Sequence, residues 1–363
     1  MSTLLNTATR QASGAADILA VLLGWVRHWW AGYISWRLQQ TATAHLMSGR
    51  EFKDIGISGS QSQVADPRAL VIALHCSGSG AAQWCHLVET LGGDYEVAAP
   101  EHYGSESTGP WGGEHAFTLA DEAARAIALI DEAEGNVHLI GHSYGGALAL
   151  HLALARPDRI ASLTLYEPSA FHLLRQMGEA GREALLEIAG IAQHVCRGIV
   201  TGDYRGAMAI FVDYWNGPGA WGRLRPAQQA ALLRWAPKAP LDFKALIDEP
   251  TPADAYRALR FPVLILRGEH APAPTRLIAQ GLQQLLPQCH LLEVEGAGHM
   301  GPLTHADEVS TLIARHIASV EMDARRAGWP PCRPRNLADV QDFGRTPGGG
   351  RVVIYAIRVT WGT

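Results

Sequence analysis

The stretch from Asn136 to Ala155, NVHLIGHSYGGALALHLALA, limits what this chain can become more than any other. It reads as a buried strand over Val137 to Ile140, a sharp turn Gly141-His142-Ser143-Tyr144-Gly145, and an apolar helix. The turn has the form G-x-S-x-G. A strand that passes at once into a helix strains the backbone at the serine. A Cβ two positions to either side would crowd the neighbouring strand and helix, so glycine is wanted at both places. The turn lifts the Ser143 hydroxyl clear of the sheet. The N-terminus of the following helix points at that hydroxyl, where its free N–H groups and dipole favour a developing negative charge.

The flanking sequence supplies the rest of a sheet. Leu70 to Leu74 is a short apolar run, hence a buried parallel strand, and it delivers His75-Cys76-Ser77-Gly78-Ser79-Gly80. Tyr95 to Ala99 is the next strand, followed by the turn-rich loop PEHYGSESTGPWGGE, which carries His102. Leu119 to Glu134 places Leu119, Ala123, Ile127 and Ile130 at helical spacing and crosses back to the serine strand. After the elbow helix Pro157 stops the chain, and Ser162 to Tyr166 forms a strand that ends in Glu167-Pro168. Two further strands follow, Pro262 to Leu266 and His290 to Val294. The second leads into GAGHMGPL, with His299 on a glycine-flanked loop before a closing helix over Leu303 to Val320. Strands alternating with helices predict an α/β fold with a parallel sheet of about six strands.

Residues 169–260 break that alternation. They are rich in helix formers and contain Phe211, Tyr214, Trp215, Trp221 and Trp235, which predicts a helical cap inserted above the site, with the aromatic residues more often filling its core than lining a substrate pocket.

The elbow around Ser143 and the GAGH loop at His299 resemble those of the α/β-hydrolase superfamily, over roughly residues 69 to 320. The resemblance implies a core of residues 66–168 and 261–320, and a cofactor-free serine hydrolase acting on an ester-like or related acyl bond. Its members order their groups as nucleophile, acid, histidine, which makes Ser143 the nucleophile and His299 the base. Matching the oxyanion loop residue by residue puts Cys76 where a glycine is usual and makes the backbone N–H groups of Ser77 and Tyr144 the oxyanion donors. Trp84 matches a tryptophan that commonly follows this loop; Trp84, His102 and Met300 are candidate substrate contacts. A serine at the elbow argues against the haloalkane dehalogenases and epoxide hydrolases of the superfamily, which place aspartate there.

The acid departs from the pattern. Its usual position, three residues past the glycine that closes the strand at Gly268, is Ala271. Glu269 lies nearby but two residues short, whereas Glu167 ends the strand that follows the elbow helix and is the preferred candidate. No metal or organic cofactor is required, and the expected partner is a small-molecule substrate. A non-catalytic ligand-binding or regulatory protein on the same fold is the alternative.

Net charge is −5 and charged residues make up 18% of the chain, so no basic field argues for nucleic acid at the core. Five scattered cysteines show neither metal spacing nor a disulfide framework, which suits a cytoplasmic protein. Residues 1–65 form a separate helical segment whose REFKDIGIS motif resembles the small YjiS-like domain. Packing or partner docking, membrane-surface attachment and RNA contact all stay open for it. Residues 321–363 read as a mostly disordered tail, with Val352 to Val359 as a candidate edge strand.

Overall fold

A computed structural model describes residues 69–326. The N-terminal segment with its YjiS-like motif, and the candidate edge strand in the tail, lie outside the described residues. Apart from Val200–Asp203, the described residues belong to one compact unit.

Six strands form a single sheet in the order β2-β1-β3-β4-β5-β6, and every neighbouring pair is parallel. They are β1 (Ala69–Leu74), β2 (Tyr95–Ala98), β3 (Val137–His142), β4 (Ile160–Tyr166), β5 (Val263–Gly268) and β6 (Cys289–Val294). The helices, in chain order, are α1 (Cys85–Leu91), α2 (Leu119–Glu132), α3 (Tyr144–Ala155), α4 (Gly178–Thr201), α5 (Tyr204–Asn216), α6 (Ala220–Arg223), α7 (Pro226–Trp235), α8 (Ala239–Asp248), α9 (Ala273–Leu285), α10 (Gly301–Thr304) and α11 (Ala306–Arg326). This is the α/β-hydrolase fold, a parallel sheet flanked by helices.

Burial explains why the central strands read as continuous apolar runs. Every residue of β3 is buried, as are all but one each of β1 and β4, because helices cover both faces of the sheet. Strand β6, at the sheet's edge, alternates over its first four residues and leaves Leu292 exposed. Helix α3 is apolar on all sides and almost wholly buried, so it runs through the core rather than over the surface. Helix α2 starts on a capping box in which the Thr118 hydroxyl accepts from the Asp121 N–H and the Asp121 carboxylate accepts from the Thr118 N–H.

The closing helix is two helices. Chain direction changes at His305 between α10 and α11, where the His305 backbone leaves helical geometry. From β4 to β5 the chain forms only helices and 3-10 turns, from Phe171 to Ala258. Among the described residues no helix is long and apolar enough to cross a membrane.

The order of strands reverses beside β1, whose neighbours are β2 and β3. Parallel sheets open a crevice at the carboxyl ends of their strands at such a point, and that is where the chemistry-bearing loops converge.

Candidate active site

Ser143 follows directly on β3 with φ 55 and ψ −115, a backbone that side chains other than glycine rarely adopt. Hydrogen bonds over-determine it. Its N–H donates to the Tyr166 carbonyl at 3.0 Å, and its own carbonyl accepts from Ser169 at 3.0 Å and Gly146 at 2.9 Å. The two glycines of the turn are sterically required. A Cβ on Gly145 would stand 2.3 Å from the Leu74 carbonyl oxygen, and one on Gly141 would stand 2.3 Å from that of Gly145.

His299 sits between Ser143 and Glu167. Its Nε2 lies 2.9 Å from Ser143 Oγ and its Nδ1 lies 2.7 Å from Glu167 Oε2. An ionised carboxylate only accepts, so the imidazole carries its proton on Nδ1 and leaves Nε2 free to accept from the serine hydroxyl. Glu167 is wholly buried and is held by more than the histidine. Its Oε1 accepts from the Gly268 N–H at 2.9 Å, and its Oε2 also accepts from the Thr275 hydroxyl at 2.9 Å. Glu167 has φ 41, the second non-glycine residue with positive φ among those described, and its N–H is tied to the Leu266 carbonyl. These contacts aim the carboxylate at the imidazole and satisfy the charge that burial would otherwise penalise. Glu269 points elsewhere, accepting from the Gly296 N–H at 2.9 Å, and Ala271 is a buried apolar residue.

Two rings lie close to the imidazole. Trp215 stacks on it with centroids 4.1 Å apart, and His142 lies 5.2 Å away and donates from Nε2 to the His299 carbonyl at 2.8 Å. Burial keeps His142 neutral by pushing its pKa well below the ordinary histidine value.

Ser77, Ser143, Ser169 and Asp242 share one cavity, about 270 Å³ of empty space counted out to its open mouth. The Ser169 hydroxyl lies 3.0 Å from Ser143 Oγ. Tyr144 opens α3, so its N–H has no intrahelical acceptor. The Ser77 hydroxyl donates to Asp242 Oδ2 at 2.6 Å, which fixes the loop after β1. Beneath it, Cys76 is buried and its thiol is pushed up to about 12, chiefly by desolvation, which makes it inert.

Behind the cavity wall lies a buried ionic cluster. Lys238 Nζ donates to Glu122 Oε2 at 2.7 Å and to Asp242 Oδ1, while the Tyr144 hydroxyl donates to the same Glu122 oxygen at 2.9 Å. Burial opposes the Lys238 charge, but the two carboxylates outweigh it and raise its pKa. Asp242 moves up because desolvation dominates over Lys238.

The lining of this cavity leaves out the three expected substrate contacts. Trp84 packs into the core with Leu87, Val309 and Ile313, since the 3-10 turn Ala81–Trp84 sets its indole between sheet and helices. His102 is buried, donates from Nε2 to the His75 carbonyl at 2.9 Å and abuts the Tyr144 ring. Met300, at the start of α10, is half-buried and does not line the cavity. The helical-segment aromatics divide between the cavity and other surroundings. Phe211, Trp215 and Trp235 line the cavity, whereas Tyr214 hydrogen-bonds Glu187 and Trp221 lies under Arg205. Sequence reasoning also missed Thr275, Ser169, Lys238 and Asp242; of these only the i, i+4 spacing of Lys238 and Asp242 offered a signal. Among the described residues no cluster of His, Cys, Asp and Glu gathers as a metal site.

The profile of the alpha/beta hydrolase family matches residues 71–312. The chain is 36% identical over 102 residues to Lipase LipV of Mycobacterium tuberculosis, a match that takes in 28% of this chain and only 38% of that protein. It is 26% identical over 261 residues to the pimeloyl-[acyl-carrier protein] methyl ester esterase of Aeromonas hydrophila, covering 68% of this chain and 94% of the relative. Among solved structures it resembles a thermophilic esterase from Thermogutta terrifontis, with TM-score 0.52 and 20% identity over 70% of this chain and 91% of the other. An epoxide hydrolase from metagenomes of hot environments gives TM-score 0.55 at 21% identity, over 69% and 91%. A profile match across most of the chain, on a fold shared with these structures, makes this protein a member of the alpha/beta hydrolase family.

Proposed function

We propose that this hydrolase is a cofactor-independent serine hydrolase of ester-like acyl bonds, with Ser143 as nucleophile, His299 as general base and Glu167 as the acid that orients it. The observation that carries the reading is the hydrogen-bonded line Ser143 Oγ, His299 Nε2, His299 Nδ1, Glu167 Oε2, with distances of 2.9 and 2.7 Å. Ser143 Oγ attacks the carbonyl carbon as its proton passes to His299 Nε2, and Glu167 stabilises the imidazolium that forms. The carbonyl oxygen takes the negative charge and is held by the N–H groups of Ser77 and Tyr144. The intermediate collapses as His299 returns the proton to the leaving group. Water then attacks the acyl-serine by the same path in reverse.

In this reading residues 66–168 and 261–320 make the catalytic core, and residues 169–260 make a cap whose Trp215, Phe211 and Trp235 close over the acyl site. Relatives named as a lipase and a methyl ester esterase favour an oxygen ester over other acyl bonds. The cavity is small and hemmed in by Phe171, Phe211, Trp215, Trp235 and Phe243, which favours a short acyl group.

The test is labelling with a fluorophosphonate probe alongside turnover of p-nitrophenyl esters of graded chain length. Wild type is expected to label and to favour short chains. Ser143→Ala is expected to lose labelling and at least ~10³-fold in kcat with nearly unchanged melting temperature. Absence of labelling in the wild type would refute the nucleophile.

A further inference from the structure

The cavity wall carries an ionic imbalance that hydrolysis of a neutral ester does not need. Glu122, Asp242 and Lys238 are all buried, and two carboxylates share one ammonium. Glu122 is additionally satisfied by the Tyr144 hydroxyl and the Tyr103 N–H at 2.9 Å each. Among the described residues Asp242 receives only Lys238 and the Ser77 hydroxyl, and it is the member that faces the cavity. The other charged groups nearby, among the described residues, do not restore the balance. His102, with Nδ1 4.0 Å from Glu122, is held neutral by burial. Arg125 lies over the Tyr103 ring and reaches the Glu101 carbonyl, while Glu101 itself pairs with His75 at 3.4 Å.

This surplus negative charge sits where the proposed reaction can least tolerate it. The hydroxyl of Ser77 is bound to Asp242, and the N–H of the same residue is the proposed oxyanion donor. A carboxylate beside a developing oxyanion opposes it unless a positive charge lies between them. The remaining cavity walls fit such a charge. Phe171, Phe211, Trp215, Trp235 and Phe243 line the same space, and aromatic walls attract organic ammonium groups through their ring quadrupoles.

We propose that the cavity takes a small ester bearing an organic ammonium group close to the scissile carbonyl, with Asp242 as its counter-charge and the aromatic side chains as its walls. The inference rests on the serine hydrolase reading for the ester, though not for the cation. A bound ammonium would complete the two-carboxylate cluster, offset the Asp242 charge during attack, and set the substrate's orientation. Esters with a carboxylate at that position would be rejected by the same charge.

The experiment compares shape-matched probes that differ in charge. Binding of choline and of its neutral isostere 3,3-dimethylbutan-1-ol to the full-length protein is measured by calorimetry, and turnover of acetylcholine is compared with that of 3,3-dimethylbutyl acetate. Choline is expected to bind at least tenfold more tightly, and the charged ester to show at least tenfold higher kcat/KM. Asp242→Asn is expected to bring both ratios towards one. Equal affinities in the wild type would mean that Asp242 holds a proton and would overturn the proposal, as would charge ratios that Asp242→Asn leaves unchanged. Should Asp242→Asn fail to fold, the wild-type isostere comparison decides alone. Loss of fluorophosphonate labelling and of turnover with the binding preference intact would refute the hydrolase reading only; labelling without the preference would refute this inference only.

Discussion

Trp215 lies against the imidazole of His299, with ring centroids 4.1 Å apart and planes inclined by 26°. The indole comes from α5, in the segment between β4 and β5, and the imidazole from the loop after β6, so two distant parts of the sequence meet face to face. His142, whose ring centroid is 5.2 Å from that of His299, donates to the His299 carbonyl and holds the backbone that carries the imidazole. A base displaced by about 1 Å can lose on the order of 10²-fold. Trp215→Ala is therefore expected to lower kcat by roughly 10- to 100-fold on short esters, and Trp215→Phe, which keeps a stacking face, to retain most of it. Steady-state kinetics with a melting curve for each variant checks this; a kcat unaffected by Trp215→Ala would reduce the indole to packing.

The acid is decided by a paired substitution. Glu167→Gln keeps size and burial but presents an amide where Nδ1–H needs an anionic acceptor, so the imidazole loses its tautomer and its counter-charge. A drop of about 10²- to 10⁴-fold in kcat is expected. Glu269→Gln touches only a bond to the Gly296 N–H at the surface and is expected to stay close to wild type. The reverse pattern would move the acid to Glu269, and two near-normal variants would leave a Ser-His dyad.

How far the sequence could be read depended on whether a signal was local. The buried strands β1, β3 and β4 are apolar runs bounded by turn residues, and the glycines at 141 and 145 announce their own steric need. Glu167 was readable as a carboxylate ending a strand. Its positive φ and its support by Thr275, 108 residues later, were not, because both are set by tertiary contacts. That Phe211, Trp215 and Trp235 line the cavity was not legible, because helical spacing gives a face without saying what that face meets. Lys238 and Asp242 have the spacing of an ordinary solvent-exposed pair, yet both are buried, since Glu122 from α2 and Ser77 from the β1 loop close over them. The packing of Trp84 into the core was not readable either, because its direction is fixed by a 3-10 turn.

Stability is expected to fall as pH drops from about 6.5 towards 4. Burial lowers His172 to about 4, with Arg175 adding to it and Glu249 opposing. It lowers His316 to about 4, aided by His138 and His290. Both are neutral in the folded protein over that interval. The unfolded chain, with histidines near 6.5, binds the extra protons and is favoured as pH falls. Each site contributes on the order of 2 kcal/mol to that loss by about pH 4.5. Glu101, Glu249 and Glu321, whose pKa values are lowered by neighbouring histidines despite their burial, add to it in the same direction at lower pH. Melting temperatures across pH 4.5 to 7 should show the slope, and His316→Gln should flatten it; an unchanged slope would remove His316 from the account.

Lys238 carries the last expectation, because it ties the segment between β4 and β5 to the sheet's helices through groups that cannot reach water. Its ammonium is buried against Glu122 and Asp242 and lies 4.4 Å from the Phe117 ring centre and 4.9 Å from that of Tyr144. Lys238→Met keeps the stem and removes the charge, leaving two buried carboxylates without a cation. Breaking a buried pair in this way costs about 3–5 kcal/mol, far more than the pair is worth against an apolar replacement. For a core of this size that corresponds to a melting temperature lower by roughly 6–20 °C. The deficit should depend on pH with a definite sign. Unpaired buried carboxylates have folded pKa values above their unfolded ones, so they bind protons on folding and the variant recovers stability as pH falls. Neutralising all three groups together, as Lys238→Met with Glu122→Gln and Asp242→Asn, should restore part of the loss and abolish that recovery, since no buried charge is left to titrate. Melting curves of both variants at about pH 5 and about pH 8 separate the outcomes. A single variant as stable as wild type at the higher pH would mean that the cluster is already protonated and that Lys238 holds the segment by packing alone.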